Sequence, residues 1–408
     1  MSALADSMSA MSRFRLYPSP AQQHMLLKQC AHARYVWNLA LEQWSMWTPD
    51  KPRTPGFAEQ CRQLTEARAA SGWLRDGSQT VQQQALRDFG QAAQRFYAGI
   101  HRPPKWRKAG LDEGFRIVGA QASRIMKVSR KWARALIPKV GWVRFRLSRA
   151  IPDAKSYRIK RDRSGRWHIA FAVVPDPIPP PGTGEVVGVD RGVAVSAALS
   201  TGELLRCPGL SMTEQGRLED LQRRLARSRR GSGRRQRTLA AIAKLCARGA
   251  DRRKDWVEKT STDLARRFDI VRVEDLRLIQ MTRRPKPKPD PTRPGNYLPN
   301  QRRAKARLNR GIRTNGWSAL VRRLEHKAAG RVEKVNPAYT SQTCSVCGHR
   351  APENRKSQAV FRCAACGHQA NADVNAAVNI AAGRAVSARR ETPTRVPPKR
   401  EPQLTTST

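Results

Sequence analysis

Acidic residues are few in this 408-residue chain: 32 Asp and Glu stand against 78 Lys and Arg, a formal net charge of +46. Aromatic residues make up only 6%. No stretch of about 18 apolar residues occurs anywhere, so the sequence holds no helix able to cross a bilayer, and no membrane partner is expected. The first residues, MSALADSMSAMSRF, have neither the charged start nor the apolar run of a signal peptide. A cytoplasmic protein is expected. Paired cysteines are also scarce: Cys30, Cys61, Cys207 and Cys246 are scattered singly. They read as buried or free thiols of a reducing compartment, which excludes a disulfide framework.

A charge of this size exceeds what solubility requires, and its self-repulsion would destabilise a compact state that nothing neutralised. The excess is spread along nearly the whole chain rather than gathered in one tail. It therefore fits a protein that wraps a polyanion, and nucleic acid is the expected partner.

Order is expected to begin with RFRLYPSP, which alternates like a strand and then offers Ser19 as a helix N-cap and Pro20 as a first-turn residue. Leu26, Leu27, Cys30, Ala33, Tyr35 to Trp37 and Leu41 follow at mostly helical spacing. Helical sequence continues until HRPPKWRKAG breaks it near residue 100. Residues 114 to 175 then turn to short aromatic and β-branched segments parted by Pro-Lys and Ser-Gly turns, the pattern of a small antiparallel β-domain. The linker PDPIPPPGTGE closes it. Next come an apolar strand, VVGVD, a second strand, helices over 213 to 268 interrupted by GSG at Gly231 to Gly233, and a third apolar strand, DIVRVE. Residues 281 to 313 are basic and Pro-rich and read as a loop that is mobile without a ligand.

The remaining cysteines, Cys344, Cys347, Cys363 and Cys366, form two C-x-x-C pairs separated by fifteen residues. Each pair suits a tight knuckle, with Gly348 or Gly367 permitting the turn after it. Two facing knuckles supply four thiolates in a tetrahedron, which fits one structural Zn²⁺ with no open position for water. His349 and His368, next to the knuckles, are surplus to that shell.

Given the scarcity of acid, a carboxylate at the end of an apolar strand calls for a reason. Asp190 ends EVVGVD and Glu274 ends DIVRVE. In an open α/β sheet, functional groups gather at the carboxyl ends of strands. Two such carboxylates side by side are tolerable only when cations neutralise them. Asp373 opens the apolar helix DVNAAVNIAA, where a helix cap and a metal ligand are equally good readings. Singly, Glu274 could pair with an arginine and Asp190 could be a turn residue. Together the three suggest a site for two Mg²⁺ ions about 3.5 to 4 Å apart, of the kind that cleaves phosphodiesters.

These motifs resemble the transposon-encoded TnpB family, related to the compact type V CRISPR effectors, over about residues 12 to 383. GVDRGV, VRVEDL and NADVNAAVNI resemble its three RuvC motifs, and TSQTCSVCGH and FRCAACGH its zinc ribbon. RLYPSPAQQ, ARYVWN, IPKVGWVR and GWSALVRRLEHKA agree as well. The resemblance implies that Asp190, Glu274 and Asp373 are the catalytic, Mg²⁺-binding triad. It implies an α/β multidomain fold: an RNase H-like RuvC nuclease domain with an inserted zinc ribbon, preceded by a β-barrel wedge domain interrupted by a helical recognition domain. The implied boundaries are a first wedge strand at 12–19, recognition domain 20–105, wedge 106–180, nuclease 181–340 and 370–384, and ribbon 341–369, with disorder at 1–11 and 385–408.

The activity so implied is cleavage of double-stranded DNA beside a short flanking motif, guided by an RNA derived from the transposon end, in a bacterial cytoplasm and on the nucleoid when bound to DNA. Arg355 matches a position where some members place a basic residue near the scissile phosphate. Tyr35 and Asn38 fall on the first recognition helix as nucleic-acid contacts, whereas Trp37 reads as core. Lys105, Arg107 and Lys108 are phosphate-contact candidates. Three alternatives remain: a compact type V CRISPR effector, a nuclease-inactive RNA-guided repressor, whose sign would be a missing triad acid, and a general RNA-binding zinc-ribbon protein, which would leave the strand-end carboxylates unexplained.

Overall fold

In the computed structural model the described residues are 11–46, 54–111, 113–173, 176–293, 295–357 and 359–383. Of the expected disordered ends, 1–11 and 385–408, all but Met11, which opens the first strand, lie outside them. The chain divides into two units, residues 1–176 with 208–252 and residues 177–207 with 253–408.

The first unit opens with strand β1, Met11–Tyr17. Ser19 then starts a capping box: its Oγ accepts from Gln22 N–H at 3.3 Å while its own N–H donates to Gln22 Oε1 at 3.1 Å. With Pro20 at the first position, this launches α1, Pro20–Ser45. Three more helices follow: α2, Phe57–Ala70, α3, Gly72–Asp76, and α4, Gln79–Tyr97. Six strands complete the unit's sheet: β2, Gly114–Val118, β3, Ile125–Lys127, β4, Trp132–Ile137, β5, Gly141–Arg146, β6, Ser156–Arg161, and β7, Trp167–Ala172.

The order is β2-β6-β7-β1-β5-β4-β3, with every pairing antiparallel. The four helices thus interrupt a sheet whose first strand sits at its centre. One aromatic cluster joins both halves: Phe14 lies 5.5 Å from Phe145 and 5.8 Å from Phe171 by ring centroids, and Tyr157 lies 5.9 Å from Phe171. Among the described residues no ladder joins β2 to β3, and both halves of the sheet share one core.

The second unit begins with β8, Val186–Asp190, β9, Ala197–Leu199, and β10, Leu204–Leu205. Helix α5, Met212–Ala226, belongs to the first unit, and α6, Gly233–Arg267, is divided at residue 252. Then follow β11, Ile270–Glu274, α7, Leu278–Met281, the short hairpin of β12, Lys288–Pro289, and β13, Tyr297–Leu298, and α8, Arg302–Thr314. The segment read as a mobile loop therefore contains a helix, which begins where its prolines end and buries Ile312. Next are α9, Trp317–Lys327, β14, Val332–Val335, β15, Val360–Arg362, β16, Gln369–Asn371, and α10, Ala372–Ala381.

Strands β10-β9-β8-β11-β14 form a mixed sheet, parallel across β8-β11-β14 and antiparallel from β8 to β10. Alternation along β8 and β11 gives Val187, Val189, Val271 and Val273 to one face, where they pack with Val257, Leu264, Leu320 and Leu324 of α6 and α9. The other face carries Gly188, Asp190, Arg272 and Glu274. There α10 lies so close that a Cβ at Gly188 would fall 2.0 Å from the carbonyl oxygen of Ala377 and 2.4 Å from the nitrogen of Ala381. Only a residue without a side chain admits this approach.

Gly188→Ala must push α10 away from β8. We expect a loss of unfolding free energy of about 1–3 kcal/mol, the range of overpacked cores, read as a lower urea midpoint. An unchanged midpoint would contradict the seating of the helix.

Candidate active site and metal centre

The parallel register sets Val189 opposite Val273, so Asp190 and Glu274 follow side by side at the ends of β8 and β11. The third acid arrives on α10. Its cap is Asn371, whose Oδ1 accepts from Asp373 N–H at 3.0 Å and Val374 N–H at 3.2 Å. This resolves the two readings of Asp373 in part: another side chain caps the helix, leaving its carboxylate available, and the helix N-terminus favours negative charge there. Asp373 Oδ2 lies 3.8 Å from where a Cβ on Gly192 would stand, so the loop after Asp190 also closes on it.

The electrostatics show crowded acid. Asp190 is pushed up to about 7, first by burial and then by the charges of Glu274 and Asp373, against the pull of Arg355. Burial likewise raises Glu274, opposed by a 3.0 Å hydrogen bond from Thr340 Oγ1 to its Oε1 and by the charges of Arg191 and Arg355. It raises Asp373 too, opposed by Arg355, whose Nη2 donates to Oδ1 at 3.1 Å. The three carboxylates do not converge as one tight ligand shell. Among the described residues, the only group of three or more metal-binding side chains with all ligand atoms within 4.8 Å of one another is the four cysteines.

Sequence reasoning missed four contributors. Buried Arg191, next to Asp190, donates to the backbone carbonyl of Glu274 and so ties the two strand ends together. Thr340 orients Glu274. Asn375 and Asn379, one turn apart on α10 and buried, hold the start of the cysteine segment: Asn375 Nδ2 donates to the carbonyl of Thr343 at 2.8 Å, and Asn379 Nδ2 to those of Thr340 and Thr343 at 3.0 and 2.7 Å. Two asparagines spaced by four in an otherwise apolar helix were the available signal.

In the cysteine segment, Cys344 and Cys363 receive matching knuckle bonds. Their N–H groups donate to the carbonyls of His349 and His368, both at 2.9 Å, and Gly348 and Gly367 turn with φ of 76° and 73°. The sulfurs of Cys344 and Cys366 lie 3.7 Å apart, and those of Cys347 and Cys363 3.6 Å. A tetrahedron with Zn–S bonds of about 2.3 Å has edges of about 3.8 Å, so the cluster fits a structural zinc ion. The N–H of Cys366 is directed at the sulfur of Cys363 at 3.5 Å, which favours the thiolate a metal needs. His349 and His368 are not part of the cluster.

The nucleic-acid candidates divide. Tyr35 is half exposed and packs edge-on against Trp73. Asn38 is buried and spends its amide on Arg107, donating to its carbonyl at 3.1 Å and accepting its N–H at 2.8 Å. It holds the basic segment in place through its backbone. Trp37 Nε1 donates to the Lys105 carbonyl at 2.9 Å, and the Arg107 guanidinium stacks 3.7 Å from its ring centre. Lys105 and Lys108 are exposed.

The chain is similar to several known proteins. Residues 168–284 match the family model OrfB_IS605, "Probable transposase", residues 8–48 its helix-turn-helix domain, and residues 317–380 the "Cas12f1-like, TNB domain". The chain is 32% identical over 385 residues to "Putative RNA-guided DNA endonuclease InsQ" of Escherichia coli (strain K12), covering 92% of each chain. It is 29% identical over 386 residues to "Putative RNA-guided DNA endonuclease" of Streptomyces pristinaespiralis, covering 92% of this chain and 90% of that one. Among solved structures, the cryo-EM Cas12f1-sgRNA-target DNA complex aligns with a TM-score of 0.49 and 12% identity over 87% of this chain and 81% of that one.

Two outcomes follow from the geometry. Cys344→Ser or Cys363→Ser should abolish stoichiometric zinc and lower the melting temperature by several degrees; elemental analysis showing full zinc in a variant of unchanged stability would refute the structural-zinc reading. Asp190 has its folded value raised from 3.8 to about 7, so its stabilising contribution is present at low pH and is lost as pH rises through about 7. In zinc-loaded protein free of Mg²⁺, the Asp190 contribution should therefore be smaller at about pH 8 than at about pH 5, read as a stability difference between native protein and Asp190→Asn that changes across that range in paired denaturant titrations.

Proposed function

The chain belongs to the TnpB family of RNA-guided DNA endonucleases, and we propose that it cuts double-stranded DNA beside a short flanking motif by two-metal chemistry at Asp190, Glu274 and Asp373. The guide would derive from a transposon end. The observation that carries this reading is the assembly of three scarce acids, two at adjacent parallel strand ends and one on the helix packed across them, with Asp190 pushed up to about 7 by burial and by the charges of the other two. Such mutual repulsion is what bound cations relieve. The wider spacing of the oxygens suits ligands shared between two ions rather than one tight shell.

Two bound Mg²⁺ ions would activate a water and take up charge on the leaving oxygen. The protein's own part is positional. Paired strands fix Asp190 beside Glu274, Thr340 holds Glu274 by its Oε1, and Asn371 leaves the Asp373 carboxylate uncommitted to the cap. Arg355 reaches the same carboxylate from the ribbon side, where its guanidinium can take a phosphate oxygen when a strand arrives. In this reading the mixed sheet with α10 is the RNase H-like RuvC domain, the cysteine segment its zinc ribbon, and the antiparallel sheet of the first unit the wedge domain interrupted by the recognition helices. Retention of all three acids disfavours the nuclease-inactive repressor.

The test is cleavage of a plasmid matched to the RNA that copurifies with the protein. Asp190→Ala, Glu274→Ala and Asp373→Ala should each reduce Mg²⁺-dependent cutting by at least a factor of about 10² while leaving RNA binding intact. Undiminished cutting removes that residue from the active site, and failure of the native protein to cut RNA-matched DNA overturns the proposal.

A further inference from the structure

One cavity of the second unit has a lining that the triad chemistry does not use. About 420 Å³ in volume, it lies between Thr282–Pro285 and one face of α8, and Arg284, Arg302, Lys305, Arg310 and Arg313 line it without a single acid. The four cations on α8 recur at spacings of three, five and three residues, which gathers them on one side of the helix. Asn309 joins the walls, its Nδ2 donating to the Thr282 carbonyl at 3.0 Å.

Five of the unit's acids are engaged elsewhere: Glu203 and Asp263 with Arg267, Glu333 with Arg272, Glu258 with Arg323 and Lys327, and Glu325 with Lys334. The five cavity cations have no ion pair of this kind among the described residues. Like charges so placed oppose the helix that carries them, an expense that an anionic ligand removes.

The cavity wall is also joined to the catalytic loop. A Cβ at Gly311 would stand 2.6 Å from Val193 Cγ1, so α8 rests directly on that loop. Asn315, just past the helix, donates through Nδ2 to the carbonyls of Gly192 and Val193 at 3.2 and 2.8 Å. Gly192 is the residue whose Cβ would stand 3.8 Å from Asp373 Oδ2. Anything held on α8 is thereby positioned relative to the residues that follow Asp190.

We propose that this cavity binds backbone phosphates of the DNA strand delivered to the carboxylates and sets that strand's register at the site. The inference rests on the reading of the chain as a DNA endonuclease. Guanidinium forks match phosphate oxygens in pairs, which suits an arginine-rich wall to a phosphodiester. The connection of α8 to the loop after Asp190 favours the cleaved DNA over the guide RNA as the occupant.

The test uses the full chain with its copurified RNA, and measures binding of an RNA-matched DNA duplex without Mg²⁺ over a series of KCl concentrations. Arg310→Gln with Arg313→Gln should weaken binding and lower the slope of log K against log salt by about 2, and Arg284→Gln, on the facing wall and outside α8, by about 1. Arg310→Lys with Arg313→Lys should restore the slope. Unchanged slopes in both Gln variants overturn the assignment, as does loss of copurifying RNA with DNA binding per RNA-loaded molecule unchanged, which makes the cavity an RNA site. Native protein that fails to cut matched DNA would refute the proposed function, and the salt slopes would still report on the cavity.

Discussion

The contact on which the second unit depends is the near-touching of α10 and β8 at Gly188. Strand order alone brings two carboxylates together at the ends of β8 and β11. The third comes only because a helix can lie against the strand with no side chain between them. Close packing of this kind fixes position without polar contacts, and it leaves the carboxylates unneutralised by the protein except through Arg355 and the more distant charge of Arg191. The architecture is therefore organised around a concentration of negative charge that the fold itself does not relieve.

The cysteine segment and the acid site are one construction. Asn375 and Asn379 hold the backbone at Thr340 and Thr343, the Thr340 hydroxyl reaches Glu274, and Arg355 in the ribbon loop reaches Asp373. Ala372, at the start of α10, is buried in the same small cluster as Cys344, Phe361 and Cys363. A metal ion held by the cysteines would thus be mechanically connected to both acids.

What could be read in the sequence was what is encoded locally. The knuckles were legible because C-x-x-C followed by Gly is a turn specification complete in itself, and Asp190 and Glu274 were legible because acid at the end of an apolar strand is conspicuous in so basic a chain. Contacts between distant segments were not. Nothing near Asn38 says that its amide meets Arg107, 69 residues away. The helix α8 was hidden by the prolines before it, since composition averaged over the whole segment resembles that of a loop.

The central place of β1 has a consequence for how the chain is made. Tyr17 pairs with Arg144 and Arg15 with His168, so during synthesis this strand finds neither neighbour until all four helices and most of the sheet have been made. Contacts of such long sequence separation form slowly, and an unpaired strand meanwhile exposes both edges. In β1, arginines alternate with the apolar residues, Arg13 and Arg15 beside Phe14 and Leu16. Charge of one sign on that strand keeps nascent copies from pairing with each other while they wait.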